Sequence, residues 1–151
     1  MSTTYPCAGI QITVIKFEPA ARIALNHTKY STAQVRLIGN AAGKVSQAGG
    51  TDTPIRVDQF AQVDLSFAVQ SSDDKDGKPA YNPVGISFFA SDGDLGLDDF
   101  PTRDVEADAF NHLVLTVHDA NVHGRSYKFN LLIQKVDTGE IGVIDPQINN
   151  G

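Results

Sequence analysis

Alternation of apolar and polar residues is the clearest pattern along this chain. In four segments every second residue is apolar, as expected for a strand that buries one face. These segments are residues 10–14, 63–69, 113–117 and 127–133. The pattern predicts four strands, each with one face turned to a core.

Weaker patterns predict the rest of the chain. Ile86, Phe88 and Phe89 do not alternate, which indicates a strand that is bulged or buried on both faces. Asp137-Thr138-Gly139 is typical of a tight turn between the last two strands. Residues 103–111 are compatible with one short helical turn, and residues 20–30 are ambiguous. Further strands are predicted at residues 33–38, 84–90 and 141–144.

Short strands joined by polar turns predict an all-β fold. The expected architecture is an antiparallel β-sandwich, or alternatively a flattened barrel, formed by a single domain of residues 1–151. The first residues lack the basic and apolar regions of a secretory signal. No apolar run approaches the ~18 residues that span a bilayer. We therefore expect a cytoplasmic protein.

The net charge of the chain limits the classes of binding partner that are expected. The formal net charge is −6, with 12 basic residues among 151. Binding to nucleic acid or to an anionic membrane needs clustered Lys and Arg, so neither partner is expected. Phosphate-binding glycine motifs and the G-x-S-x-G motif of hydrolases are absent from the sequence, and no cofactor is expected.

Acidic loops offer one candidate for binding. Residues 92–99 carry four aspartates, and carboxylates at alternate positions can bind Ca²⁺. The spacing is not that of an EF-hand loop, because Gly96 and Arg103 stand where oxygen ligands are needed. His112 and His118 are about 20 Å apart on an extended strand, too far to share a metal. His118, Asp119 and His123 are closer but lack further zinc ligands.

Asp145-Pro146 is the one Asp-Pro pair in the chain. The Asp side chain can attack its own main-chain carbonyl and close a cyclic anhydride, with the proline nitrogen as the leaving group. Such intramolecular attack has a high effective molarity. A second carboxyl with a raised pKa can supply the proton, or an Asp can activate water instead. Asp-Pro also commonly just ends a strand, and that interpretation stays open.

A lysine can intercept the anhydride and form an amide with Asp145. Lys128 is the candidate, because it lies in the preceding strand between two aromatic residues that could desolvate it. A regular hairpin closed at residues 137–139 sets Asp145 opposite Leu131 or Leu132. Lys128 is then on the order of 10–13 Å away, and a bulge or a strong twist is needed to bring it closer. Lys135 is placed less favourably by the same count.

The residues Gly142-Val143-Ile144-Asp145-Pro146, preceded by the strand at 127–133, resemble the DP-EP family of small bacterial proteins. The resemblance implies a β-sandwich that cleaves itself at Asp-Pro by an aspartic-type mechanism. It further implies that Asp145 is the cleaved residue, that Pro146 becomes the new N-terminus and that Lys128 forms an isopeptide link.

In this family another aspartate activates water. Asp119 is the expected residue here, because it closes a strand taken to lie antiparallel to residues 127–133. Asp108 and Asp64 are the alternatives.

A second hypothesis is a β-sandwich that never cuts itself. Such a binding module would use the loops at residues 73–79 and 91–101 for a ligand or for Ca²⁺. Asp137-Thr138-Gly139 has the Asp-Thr-Gly sequence found in aspartic proteases. Those enzymes also need a second aspartate that shares a proton with the first. The predicted partner of the self-cleaving protein is the protein itself, and its oligomeric state is left open.

Overall fold

The computed structural model describes residues 4–20, 30–49, 52–145 and 147–150. Strands make up all the regular secondary structure in these residues. In chain order they are β1 Cys7–Lys16, β2 Thr32–Leu37, β3 Val45–Gln47, β4 Ile55–Val57, β5 Val63–Ser71, β6 Tyr81–Phe89, β7 Thr102–Ala107, β8 Leu113–Asp119, β9 Ser126–Lys135, β10 Ile141–Ile144 and β11 Gln147–Asn150. The all-β prediction is confirmed.

The strands form two sheets. The first has the order β2-β1-β5-β8-β7. In the second, β9 pairs with β6 on one side and with both β10 and β11 on the other, and β4 and β3 follow β11. Most neighbours are antiparallel, while the pairs β1–β5 and β4–β11 are parallel. Both sheets are open in the part of the chain that the structure describes, which disfavours the flattened barrel.

Apart from Leu113, which is 36% exposed, the apolar residues predicted from alternation face one shared core. Residues of both sheets belong to a single cluster of buried side chains. Phe67 of β5 meets Phe129 of β9 with ring centroids 5.4 Å apart. Phe88 of β6 stacks on Phe100 at 3.8 Å, and Phe100 meets Tyr127 edge-on at 5.1 Å. The contact of Phe67 with Phe129 therefore joins the two sheets.

Several sequence predictions need correction. The helical turn expected at residues 103–111 is wrong, because residues 102–107 form β7 and pair with β8. Most of β7 is exposed on both faces, so it lacks the alternation that reveals a strand. A register shift in β6 lies between Pro83 and Gly85, before the residues that do not alternate, and of these Phe88 is buried whereas Phe89 is exposed. Of the ambiguous segment 20–30, residues 21–29 lie outside the described residues.

In the described part of the chain, no helix is long and apolar enough to cross a membrane.

Candidate active site

The chain runs past Asp145 along one edge of β9 without changing register. Ile144 pairs with Leu131, and Gln147 pairs with Lys128. The step of three residues from Ile144 to Gln147 thus matches the step of three residues back along β9, from Leu131 to Lys128. By this register Asp145 is level with Asn130, whereas Pro146 lies outside the described residues.

This register corrects the predicted separation of Asp145 and Lys128. Asn130 and Lys128 are two residues apart on β9, so their side chains leave the same face of the sheet. Asp145 and Lys128 are therefore diagonal neighbours, which lie roughly 7–8 Å apart. The predicted distance was too long because the turn is longer than three residues. The Lys135 amide donates to the Glu140 carbonyl at 2.9 Å, which leaves four residues between them.

A surface cavity of about 610 Å³ opens beside these two residues. Lys128 and Asp145 both line it, and they also line a neighbouring cavity of about 300 Å³. The larger cavity is completed by Tyr30, Ser31, Thr32, Ala33, Val35, Asp52, Thr53, Pro54 and Ile144. A lysine, the aspartate of the Asp-Pro pair and a second carboxyl thus share one cavity.

The second carboxyl belongs to Asp52, which the sequence reasoning missed. The Val35 amide donates to Asp52 Oδ1 at 3.1 Å, and the Asp52 amide donates to the Val35 carbonyl at 3.0 Å. These two bonds fix Asp52 to β2 in the left-handed region, at φ 61°. Asp52 follows a glycine-rich loop and has no local motif. Its place beside the cavity depends on its contact with β2, 17 residues away in the chain.

Lys128 is exposed, although its neighbours Tyr127 and Phe129 are buried. The expectation that these aromatic residues desolvate Lys128 is therefore wrong. Their side chains point into the core, while Lys128 points to the opposite face of the sheet.

Close packing at Gly142 positions the strand that leads into Asp145. A Cβ atom at Gly142 would lie 2.6 Å from the Phe17 ring and 2.9 Å from Ser31 Oγ. The Ser31 amide donates to the Val143 carbonyl at 2.8 Å. The free edge of β10 is thus covered by the segments around Phe17 and Ser31, which hold Ile144 and Asp145 beside the cavity.

Asp119 lies elsewhere. It ends β8, which belongs to the first sheet and pairs with β5 and β7 rather than with β9. Its side chain is fully buried, while Asp145 is exposed on the second sheet. Neither cavity lined by Asp145 includes Asp119. The expectation that Asp119 approaches Asp145 is wrong, because the strands β8 and β9, neighbours in sequence, belong to different sheets.

Asp119 instead belongs to a buried polar cluster with Asp99, Asn121 and Tyr127. The Asn121 amide donates to Asp119 Oδ1 at 3.0 Å. The Tyr127 hydroxyl and the His123 amide both donate to the carboxylate of Asp99. Burial, with a smaller contribution from the charge of Asp99, raises the pKa of Asp119 to about 8. Burial and the bond to Asp99 also raise the pKa of Tyr127.

The alternative aspartates also lie away from Asp145. Asp64 Oδ1 is 2.8 Å from His118 Nδ1, on the first sheet. Asp108 accepts the amides of Phe110 and His112 in the turn before β8. The hydrogen bonds from these backbone amides lower the pKa of Asp108. Neither residue lines the two cavities beside Asp145.

Two aspartates of the acidic loop at residues 92–99 form ion pairs with Arg125. Arg125 Nη1 lies 2.7 Å from Asp92 Oδ2 and 3.3 Å from Asp94 Oδ2. The Oδ1 atoms of both aspartates accept backbone amides within the loop. Among the described residues, no group of three or more His, Cys, Asp or Glu side chains could hold a metal ion. These contacts disfavour Ca²⁺ binding by this loop.

Comparisons with protein-family models and with curated proteins found no match for this chain. Membership of the DP-EP family therefore stays a prediction.

Proposed function

We propose that this protein cleaves its own chain between Asp145 and Pro146. The observation that carries the proposal is the shared cavity, which brings the aspartate of the Asp-Pro pair together with Lys128 and Asp52. A strand that merely ends at a proline needs no such neighbours. The resemblance of residues 142–146 to self-cleaving proteins supports the same reaction.

The reaction begins at the side chain of Asp145. One carboxylate oxygen attacks the main-chain carbonyl carbon of the same residue and closes a five-membered ring. The C–N bond to Pro146 breaks, and the proline nitrogen takes up a proton as it leaves. The products of this step are a cyclic anhydride at Asp145 and a new N-terminus at Pro146.

Asp52 is the residue we assign to proton transfer. It is the second carboxyl among the described residues that line the cavity, and its backbone is bonded to β2 on both the donor and the acceptor side. As the acid it gives a proton to the departing proline nitrogen, and as the base it then activates water. This assignment replaces Asp119.

Two nucleophiles can open the anhydride. Water gives two carboxyl groups on Asp145 and completes a hydrolysis. The amine of Lys128 gives an amide and one carboxyl group, so that this product is one water lighter. The diagonal placement of Lys128 and Asp145 across the ladder favours the amide, because the two side chains leave the same face.

We also infer that the two sheets are the layers of a β-sandwich. Support comes from their single shared core and from the contact of Phe67 with Phe129 across it. In such an arrangement the cavity beside Asp145 lies where β2, at the edge of the first layer, meets the second layer.

Intact mass under denaturing conditions tests the proposal. We expect the wild-type chain to lose the segment that begins at Pro146, and Asp145→Ala to stay whole. Pro146→Ala is the matched variant for the leaving group and should cleave more slowly than wild type. A wild-type chain that keeps its full mass for days between mildly acidic and neutral pH would refute self-cleavage.

A further inference from the structure

Phe89 is an exposed aromatic residue directly opposite Lys128 in the second sheet. It is 51% exposed, whereas the preceding Phe88 is 2% exposed and belongs to the core. In the pairing of β6 with β9, Phe89 is the partner of Lys128. Directly opposed residues of an antiparallel pair leave the same face, with Cβ atoms about 4.5–5.5 Å apart. The ring of Phe89 therefore begins beside the aliphatic stem of Lys128.

Lys128 lies between Phe89 and the chain that carries Asp145. β9 pairs with β6 on one side and with β10 and β11 on the other, so Phe89 and Asp145 flank Lys128 from opposite sides. All three residues line the cavity of about 300 Å³. The stem of a lysine is flexible, and it packs along apolar surface while its charged end stays in water. A large ring on the β6 side favours the rotamers of Lys128 that lean toward Asp145.

We propose that Phe89 is a positioning residue that directs the amine of Lys128 toward Asp145 and thereby raises the ratio of amide to hydrolysed product. This inference rests on the proposed self-cleavage and concerns only the opening of the anhydride. A positioned amine has a higher effective concentration at the anhydride carbon, whereas attack by water gains nothing from the ring. Phe89 should therefore change which product forms without changing how fast the chain is cut.

The step that Phe89 would favour is a simple acyl transfer. The free amine of Lys128 forms a C–N bond to one carbonyl carbon of the anhydride, and the ring C–O bond breaks. The released oxygen becomes a carboxylate, and the nitrogen gives up one proton to solvent. Water that attacks the same carbon leaves two carboxyl groups on Asp145 instead.

The first experiment measures the denaturing mass of the large fragment, which gives the ratio of the product one water lighter to the hydrolysed product. Phe89→Ser should lower this ratio by about three- to tenfold, the effect of releasing one flexible side chain. The total rate of cleavage should stay at the wild-type value. Phe89→Tyr retains the ring and should restore the wild-type ratio. An unchanged ratio in Phe89→Ser would overturn the inference.

Phe110→Ser is the matched control. Phe110 is 81% exposed, lies in the turn before β8 and lines neither cavity beside Asp145. Its loss should leave the product ratio unchanged. A ratio that falls equally in Phe89→Ser and Phe110→Ser would overturn the inference, as would a fall in Phe89→Ser that merely follows a lower rate of cleavage and a lower melting temperature.

A second measurement does not depend on cleavage. In the Asp145→Ala chain, which we expect to stay whole, nuclear Overhauser effects should connect the ring protons of Phe89 with the methylene protons of Lys128. Their absence would overturn the inference while the self-cleavage stands. A wild-type chain that is cut but gives only the hydrolysed product would have the same consequence. A chain that is never cut would overturn both proposals.

Discussion

Lys128 and Asp145 are diagonal neighbours on one face of the second sheet, two residues out of direct opposition, and they line the same cavity. Along β9, this placement puts Lys128 closer to Asp145 than Lys135. Lys135 belongs to the same strand, but its ammonium lies 5.8 Å from the ring centroid of Phe17, and it lines neither cavity beside Asp145.

Lys128→Arg should abolish the product that is one water lighter and leave only the hydrolysed product. Arginine stays protonated in proteins and does not act as the attacking amine. The measurement is the denaturing mass of the large fragment, with Lys135→Arg as the control that should resemble wild type. A water-lighter fragment that persists in Lys128→Arg would show that another group opens the anhydride.

Asp52→Asn should slow cleavage by about 10²–10⁴-fold, the usual contribution of a positioned acid or base. Asparagine keeps the acceptor oxygen for the Val35 amide but cannot transfer the proton. The measurement is the rate of appearance of the cleaved chain after refolding. Asp58→Asn changes an exposed aspartate that does not line the cavity and should cleave at the wild-type rate. Equal rates for Asp52→Asn and wild type would remove Asp52 from the reaction.

Asp119→Asn should flatten the pH dependence of stability. The folded-state pKa of about 8 lies above the value near 4 of an unfolded aspartate. Between these values the folded form holds one proton more, so the free energy of unfolding falls as pH rises, by up to about 1.4 kcal/mol per pH unit. Above about pH 8 this contribution levels off.

Denaturant unfolding at pH 5, 6, 7 and 8 measures that slope. Wild type should lose stability relative to Asp119→Asn across this range. Asp76→Asn, in an exposed turn, is the control and should keep the wild-type slope. Parallel curves for wild type and Asp119→Asn would mean that the carboxyl of Asp119 is already ionised in the folded protein.

Gly142→Ala should destabilise the protein by about 1–3 kcal/mol, the usual effect of overfilling a packed position. The new methyl group would overlap the ring of Phe17, 2.6 Å away, and would displace β10. Thermal unfolding measures the loss, and cleavage should slow in parallel because Asp145 moves with the strand. Phe17→Leu combined with Gly142→Ala should recover part of the stability. Without that recovery, the contact with Phe17 is not the cause.

Local alternation was sufficient to predict the long strands, because one face of each strand meets the core and the other meets water. It failed for β7, whose exposed faces leave no apolar period, and for the three-residue strands β3 and β4. The Asp-Pro pair could be recognised from two adjacent residues of the sequence. The proximity of Asp52 to Asp145 could not, because it depends on β2 meeting a loop 17 residues further along the chain.

The choice of Asp119 shows the same limit. Proximity in sequence suggested that β8 pairs with β9, whereas the chain passes from one sheet to the other between them. The turn after β9 was recognised, but its length was wrong by one residue. Side chains alternate between the two faces of a strand, so an error of one residue in the register was enough to place Lys128 out of reach of Asp145 in the prediction.

The position of β11 between β9 and β4 also determines when the second sheet can be completed during synthesis of the chain. Residues 147–150 leave the ribosome after every other strand described here, yet they complete the interior of the second sheet. Until they insert, β3 and β4 have no backbone neighbour linking them to β9. A chain that stalls or misfolds before this step never acquires the strand beside Asp145, so the proposed cleavage would be restricted to a chain whose fold is finished.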